Sequence, residues 1–313
     1  MGNNLYAGGD LVVSEILSQE VGLKLAERGT FWNHPAITYA GSATYQGSST
    51  IKMDFIDSGA TKMSAVASNV AVTPDAFTFT RASITLAQQR MGRSVGDLLR
   101  VLSPSGVIRD VDAFAADAAG SYGVSLSQLL ITAGAGFSTD ISDTGADLTW
   151  AKIREAKATL IAANANFTDG NVICVLHPVQ YADLEADAAA AGIGDAVSRS
   201  PEAQAIQQAN GFLSGFRGSL FGIDFFTSTD VPTANAAADR RGFMACPSGL
   251  LWADALIPAS GDTANREILV DGGRMAIEFE RDASKALQNV YYQAILGCSI
   301  GQDSAGVTIT SDA

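Results

Sequence analysis

The stretch Asn171–Leu184, NVICVLHPVQYADL, constrains what this chain can fold into more than any other. Val172 to Leu176 is an unbroken apolar run, too short for a buried helix and rich in β-branched residues, which predicts a central strand covered on both faces. His177 and Pro178 end it, because proline donates nothing to a ladder and its fixed φ suits the first position of a helix. A helix is therefore expected through Tyr181 and Leu184 toward the alanines at Ala188–Ala191. Just upstream, Thr149 can cap a helix carrying Ile153, Ala156, Leu160 and Ile161 on one face. Downstream, Phe221–Pro232 reads as a strand and Phe243–Ala255 as a strand and turn. This alternation predicts a compact α/β unit from Leu148 to about Pro258.

The flanks are less compact. Asp10–Arg28 predicts an amphipathic helix with Asp10 as N-cap, apolar Val13, Ile16, Leu17, Val21 and Leu25, and Gly29 past its end. Gly22 weakens it, and it has to find its apolar partner elsewhere on the chain or on a neighbouring subunit. From Tyr39 to Pro74 the chain turns Gly, Ser, Thr and Ala rich. One alternating segment, Ile51-Lys52-Met53-Asp54-Phe55, suggests a long two-stranded excursion that cannot form a core of its own. Phe77–Arg90 is a long strand in which Phe77 and Phe79 share one parity while Ile84 and Leu86 share the other. A bulge or a change of buried face is expected near Arg81 and Ala82, and a short helical turn at SVGDLLRV. Val107–Thr132 carries the strongest helical pattern, with Val111, Phe114, Ala115, Ala118, Tyr122, Leu126, Leu129 and Leu130 three or four apart. Gly120 and Gly123 inside it predict a kink or a close helix contact. Beyond Arg266 the chain is β-rich again, and Met275, Ile277 and Phe279 alternate with polar partners. These last strands are expected to pack with the first half of the chain, leaving the central unit as an insertion.

The 313 residues are 47% hydrophobic, enough for one large core or two modest ones. A net charge of −13 argues against a protein that grips nucleic acid tightly, since phosphate affinity comes mainly from Lys and Arg. Three dispersed cysteines, Cys174, Cys246 and Cys298, indicate a reducing compartment. The start MGNNLYAGGD has neither the charge nor the apolar run of a signal peptide, so a soluble chain made in a cytoplasm, with no membrane partner, is expected. Tyr6 stands where a myristoylation signal has Ser or Thr.

Nothing in the sequence assembles into a catalytic site. His34 and His177 are the two histidines, far apart, and offer no metal-ligand spacing. Cys174 and His177 would point to opposite faces of a strand. AGIGDAV at Ala191–Val197 follows a helix rather than a strand, and GFLSG at Gly211–Gly215 misplaces its serine for a nucleophile elbow. Acidic pairs such as Asp54 with Asp57 and Asp140 with Asp143 sit in Gly and Ser rich loops and read as solvated surface. No catalytic, cofactor-binding or metal residue is assigned, and no cofactor is expected.

The order of elements resembles the major capsid protein of tailed bacteriophages, the Hong Kong 97-type shell fold. The resemblance is carried by Val172–Leu184, by FGIDFFTSTDVP at Phe221–Pro232, by FMACPSGLLWADA at Phe243–Ala255, and by GCSIGQDSAGVTITSDA at Gly297–Ala313. It implies an α+β fold with an N-terminal arm (1–36), an extended β-hairpin loop (37–76), a peripheral domain around a long spine helix (77–147 and 259–313) and an inserted α/β axial domain (148–258). It further implies a non-enzymatic, self-assembling shell of pentamers and hexamers enclosing double-stranded DNA without sequence-specific binding. The shell would be built in a bacterial cytoplasm with a separate scaffolding protein and a portal protein. Whether decoration proteins bind outside stays open. Val13, Leu17, Val21, Ile51, Met53 and Phe55 become candidate intersubunit contacts, and Gly120, Gly123, Gly134 and Gly136 candidate hinges for shell expansion. Lys52 and Lys62 lie where some relatives carry a crosslinking lysine, but no partner for them is identifiable. Two other readings remain: an encapsulin-like nanocompartment, and a cytoplasmic α/β enzyme with a site near His177 and Tyr181.

Overall fold

A computed structural model describes residues 31–43, 49–56, 79–96, 107–163, 165, 170–190, 216–258, 266–282, 284–285 and 287–312. In chain order these form β1 (Ile37–Ala43), β2 (Thr50–Ile56), β3 (Phe79–Thr85), β4 (Ala87–Gly96), the long helix α1 (Val107–Gly134), β5 (Asp140–Asp143), α2 (Trp150–Ala162), β6 (Val172–Leu176) and α3 (Pro178–Ala190). The second half is almost all strand: β7 (Phe216–Leu220), β8 (Ile223–Thr227), β9 (Thr233–Ala234), β10 (Asp239–Ala245), β11 (Leu250–Ala255), β12 (Arg266–Val270), β13 (Met275–Asp282), β14 (Leu287–Ile300) and β15 (Gly306–Asp312). The expected helix at Asp10–Arg28 falls outside the described residues.

The strands make two large sheets. One has seven strands in the order β5-β15-β10-β6-β8-β7, with β9 on β10; the other has six, β1-β11-β14-β13-β12, with β4 also on β14. β6 is interior, parallel to β8 and antiparallel to β10. All five of its residues are buried because the sheet is covered on both faces. Ile173 and Val175 point into a core built on α1, through Ala115, Ala118, Tyr122, Leu126 and Leu130. Val172, Cys174 and Leu176 point into a second core formed by α2 and α3, through Ile153, Ala156, Leu160, Tyr181 and Leu184.

β11 uses the same two-residue period to join cores. Leu250 and Trp252 share the α1 core with Met275, Ile277, Val290 and Leu296, while Leu251 and Ala253 face a third cluster with Ala82, Ile84 and Leu86. The long helix α1 therefore lies against both sheets at once, and its apolar side is continuous across them.

Several sequence expectations shift. β11 lies within the stretch expected in the axial unit but pairs in the six-stranded sheet with β14 and β1. The last strand, β15, expected to pack with the first half of the chain, does so through β5, and on its other side it pairs with β10 of the central stretch in the seven-stranded sheet. Its Thr308 and Thr310, which alternate with Val307 and Ile309, are both buried, donating hydroxyl hydrogen bonds at 3.0 Å to the Asp140 carboxylate. β1 is a sheet strand rather than part of the excursion, and the partner of β2 is β3, in unbroken register from Ile56↔Phe79 to Thr50↔Thr85. No bulge occurs at Arg81 and Ala82. The break falls at Leu86, between β3 and β4, and Phe79 simply lies on the exposed face, 64% accessible. Ser94 to Gly96, expected to open a helical turn, extend β4 along β14.

At the start of α2 Thr149 has the extended backbone of an N-cap but makes no side-chain cap bond. The free Trp150 N–H is taken instead by the Asp187 carboxylate of α3 at 2.8 Å, so α3 caps α2 across the core. Ile161, expected on the apolar face of α2, is half exposed.

Candidate intersubunit surfaces and buried polar sites

The junction between β6 and α3 is held by Gln180, which is fully buried. Its Oε1 accepts the His177 backbone N–H at 3.0 Å, satisfying a donor left free at the start of α3. Its Nε2 donates to the Arg240 carbonyl at 3.0 Å and to Ser311 Oγ at 2.9 Å. One amide thus ties β6, α3, β10 and β15 together. This explains the His-Pro-x-Gln order physically: proline starts the helix, and glutamine two positions later reaches back to cap it.

The six-stranded sheet holds a charged site of its own. Asp254 in β11 is fully buried, accepts the Tyr39 hydroxyl at 2.7 Å and is ion-paired with Arg274 Nε at 2.9 Å. Arg274 also bonds Asp271 at 3.1 Å and lies over the Tyr39 ring at 5.3 Å. Burial and the bond to Asp254 raise the Tyr39 phenol above its ordinary value. Each charge has its partner, so the cluster fastens β1 to β11 and to the turn before β13.

The two histidines have separate jobs. His34 Nδ1 accepts the Ala36 N–H at 3.1 Å, leaving Nε2 to donate to Asp224 at 2.8 Å, which pins the chain entering β1 to β8. His177 Nδ1 accepts the Val179 N–H at 3.3 Å, and burial together with the Arg240 charge lowers its pKa. Cys174, three residues before it, faces the α2 and α3 core, where burial alone pushes its thiol well up. The same cause raises Cys246 to about 11 and Cys298 to about 12, so all three thiols are protonated and weakly nucleophilic at neutral pH. Tyr181 packs against Phe225 and under Arg217. The described geometry around His177 is that of a strand-to-helix joint. Among the described residues no cluster of three metal-ligating side chains occurs.

Of the candidate contact residues, Val13, Leu17 and Val21 fall outside the described residues. Ile51, Met53 and Phe55 alternate along β2 and pack, half-buried, on the Ile84 and Leu251 cluster, so part of their apolar surface is already used within the chain. The β2–β3 pair is a separate two-stranded sheet, its outer face carrying the Arg81–Asp54 ion pair. Of the candidate hinges, Gly134 ends α1 where an added Cβ would lie 2.6 Å from the Phe243 ring, so glycine is required there for helix-to-sheet packing. Gly136 follows in the turn, its N–H bonded to the Ala133 carbonyl. Gly120 and Gly123 line a groove of about 940 Å³ beside α1. The sequence marked these two as weak helix formers at a kink or close helix contact and as candidate hinges, not as part of a groove. Ala116 and Ser127 continue their spacing along the same helix face and were the missed signal.

No known sequence family matches the chain, and no curated protein matches it in sequence. Solved structures do. The structure is similar to the capsid of Ralstonia phage GP4, with TM-score 0.58 and 13% identity over 92% of this chain and 90% of that one. It is also similar to the capsid of cyanophage Pam1, with TM-score 0.57 and 11% identity over 91% and 92%. The chain has the Hong Kong 97-type phage capsid fold. The holo-SrpI encapsulin complex of Synechococcus elongatus shares the capsid fold too, with TM-score 0.53 and 12% identity over 86% and 83%.

Proposed function

We propose that this chain is the major capsid protein of a tailed bacteriophage, self-assembling into the icosahedral shell that encloses the double-stranded DNA genome, and that it is not an enzyme. The observation that carries this reading is the capsid fold over about nine-tenths of the chain, shared with capsids of several phages. Two physical features support it. The β2–β3 pair is a separate two-stranded sheet that packs one face on the body and carries exposed Phe79 on the other, and a two-stranded element of this kind gains stability by packing on a neighbour. The net charge of −13 makes a wall to which packaged DNA does not adhere. The implied partners are further copies of the chain as pentamers and hexamers, a scaffolding protein, a portal protein and DNA held without sequence preference. The virion would be assembled in the bacterial cytoplasm.

The likeness to an encapsulin favours one second reading, a nanocompartment around cargo enzymes. Electron microscopy of particles purified from infected or expressing cells separates the two. Nuclease-resistant DNA inside supports the phage capsid; a stoichiometric cargo protein with no DNA supports the encapsulin; absence of particles contradicts both.

A further inference from the structure

The turn between β7 and β8 holds an exposed aromatic in a strained place. Phe221 and Gly222 form it with φ of +56° and +76°, a left-handed pair in which asparagine or glycine is the favoured first residue. Phe221 is nonetheless 50% exposed. Its carbonyl accepts the Lys157 ammonium of α2 at 2.8 Å, and its ring meets Trp150 edge-on at 6.2 Å, so α2 fixes where it stands. Ile161, one helical turn beyond Lys157 on the same side of α2, is also 50% exposed. Backbone strain kept at an exposed aromatic, with a second large apolar side chain on the same side of the helix, marks a contact surface.

The same chain carries a surface that complements this one. On α2, Arg154, Ala158 and Ile161 are exposed and lie four and three residues apart, on one stripe. On α3, Val179, Ala182 and Glu185 are exposed at intervals of three. The stripes agree in length, about 10 Å and about 9 Å. Run antiparallel, they set Ile161 against Val179, Ala158 against Ala182 and Arg154 against Glu185. Charge agrees along the whole helices, since α2 carries Lys152, Arg154 and Lys157 against Glu155, and α3 carries Asp183, Glu185 and Asp187 with no cation. Asp183 and Asp187 are committed within the chain, to the backbone N–H groups of Leu148 and Trp150, so Glu185 is the acid turned outward. Both stripes are exposed in the lone chain and so do not meet within it. We propose that α2 of one copy packs antiparallel on α3 of the next, with Phe221 and Ile161 closing over Val179 of the partner subunit. Two different patches meet in this contact, so it is head-to-tail and closes into rings. It rests on the capsid reading and adds which surface joins the copies.

The test uses the full-length protein under the conditions in which it forms particles. Equal amounts of Ile161→Cys and Val179→Cys, assembled together and mildly oxidised, should give dimers linked between positions 161 and 179, identified by peptide mapping. Arg154→Glu and Glu185→Arg should each lower the yield of particles about tenfold by setting like charges together, and the double variant should recover it. Phe221→Asn should unfold at higher urea than the unmodified subunit, since asparagine suits the turn, and yet assemble less. Particles without the 161–179 link, a double variant that stays as low as the single ones, or charge and Phe221 variants that assemble like the unmodified chain would overturn this contact and leave the capsid reading intact. An unmodified chain that forms neither particles nor rings would overturn both.

Discussion

Replacing Gln180 by glutamate changes one atom's chemistry inside a fully buried joint, and its effect can be worked out in sign and size. The carboxylate keeps the acceptor for His177 N–H but loses the donor to the Arg240 carbonyl, 3.0 Å away, so two oxygens face each other without a proton. Protonation restores the donor. Burial and the facing carbonyl therefore raise the folded-state pKa of the introduced carboxyl above the usual 4.3 or so. Full burial alone can shift a carboxyl by about 3–5 units; Ser311 can turn its hydroxyl to donate, so about 2 units is expected. At about 1.36 kcal/mol per unit this is about 3 kcal/mol.

The raised folded pKa means that the folded state binds more protons between about pH 4.3 and about pH 6.5, so stability falls as pH rises through that window. The variant should approach wild type at about pH 4.5 and lie about 3 kcal/mol below it at about pH 8, read by urea unfolding of both proteins at each pH. Gln180→Ala, which strands the same partners without adding a charge, should be destabilised by a similar amount at both pH values. A Gln180→Glu deficit that does not change with pH would refute the argument that the amide's donor side holds the joint.

Other consequences are simpler. Arg274→Ala leaves the buried Asp254 carboxylate with the Tyr39 hydroxyl alone and should cost about 2–4 kcal/mol in urea unfolding, far more than Tyr39→Phe, which keeps the ion pair. Cys174 and Cys246 should resist a thiol reagent at about pH 8 until the chain unfolds, as burial holds both protonated; fast modification in the native state would contradict the described core. Phe79→Ser should leave the subunit's stability within about 0.5 kcal/mol of wild type while lowering the yield of closed particles, because the side chain is exposed in the lone chain.

Much of the fold was legible where burial is two-sided or periodic. The β6 run had only one arrangement that keeps five consecutive apolar residues dry, and α1 had a repeat too long to be anything but a helix. What stayed hidden depends on pairing between distant segments. The partner of Thr308 and Thr310 is Asp140, about 170 residues away, which no local pattern announces. Thr149 looks like a cap until Asp187 takes the bond. Gln180 is an ordinary helix residue in sequence, and its partners on distant strands become visible only once β10 lies beside β6 and β15 beside β10. The start of the two-stranded excursion was hidden for the same reason, since β1 is claimed by β11 and β2 by β3. The groove on α1 was half visible: the glycines stood out as weak points, and their common face with Ala116 and Ser127 makes them a surface.

The most direct measurement is the assembled mass of the purified protein by light scattering, with electron microscopy on the same sample. The account predicts closed shells, or pentamers and hexamers that close when a scaffolding protein is supplied. A species that stays at the 32.4 kDa monomer, or its dimer, under all of those conditions would contradict it.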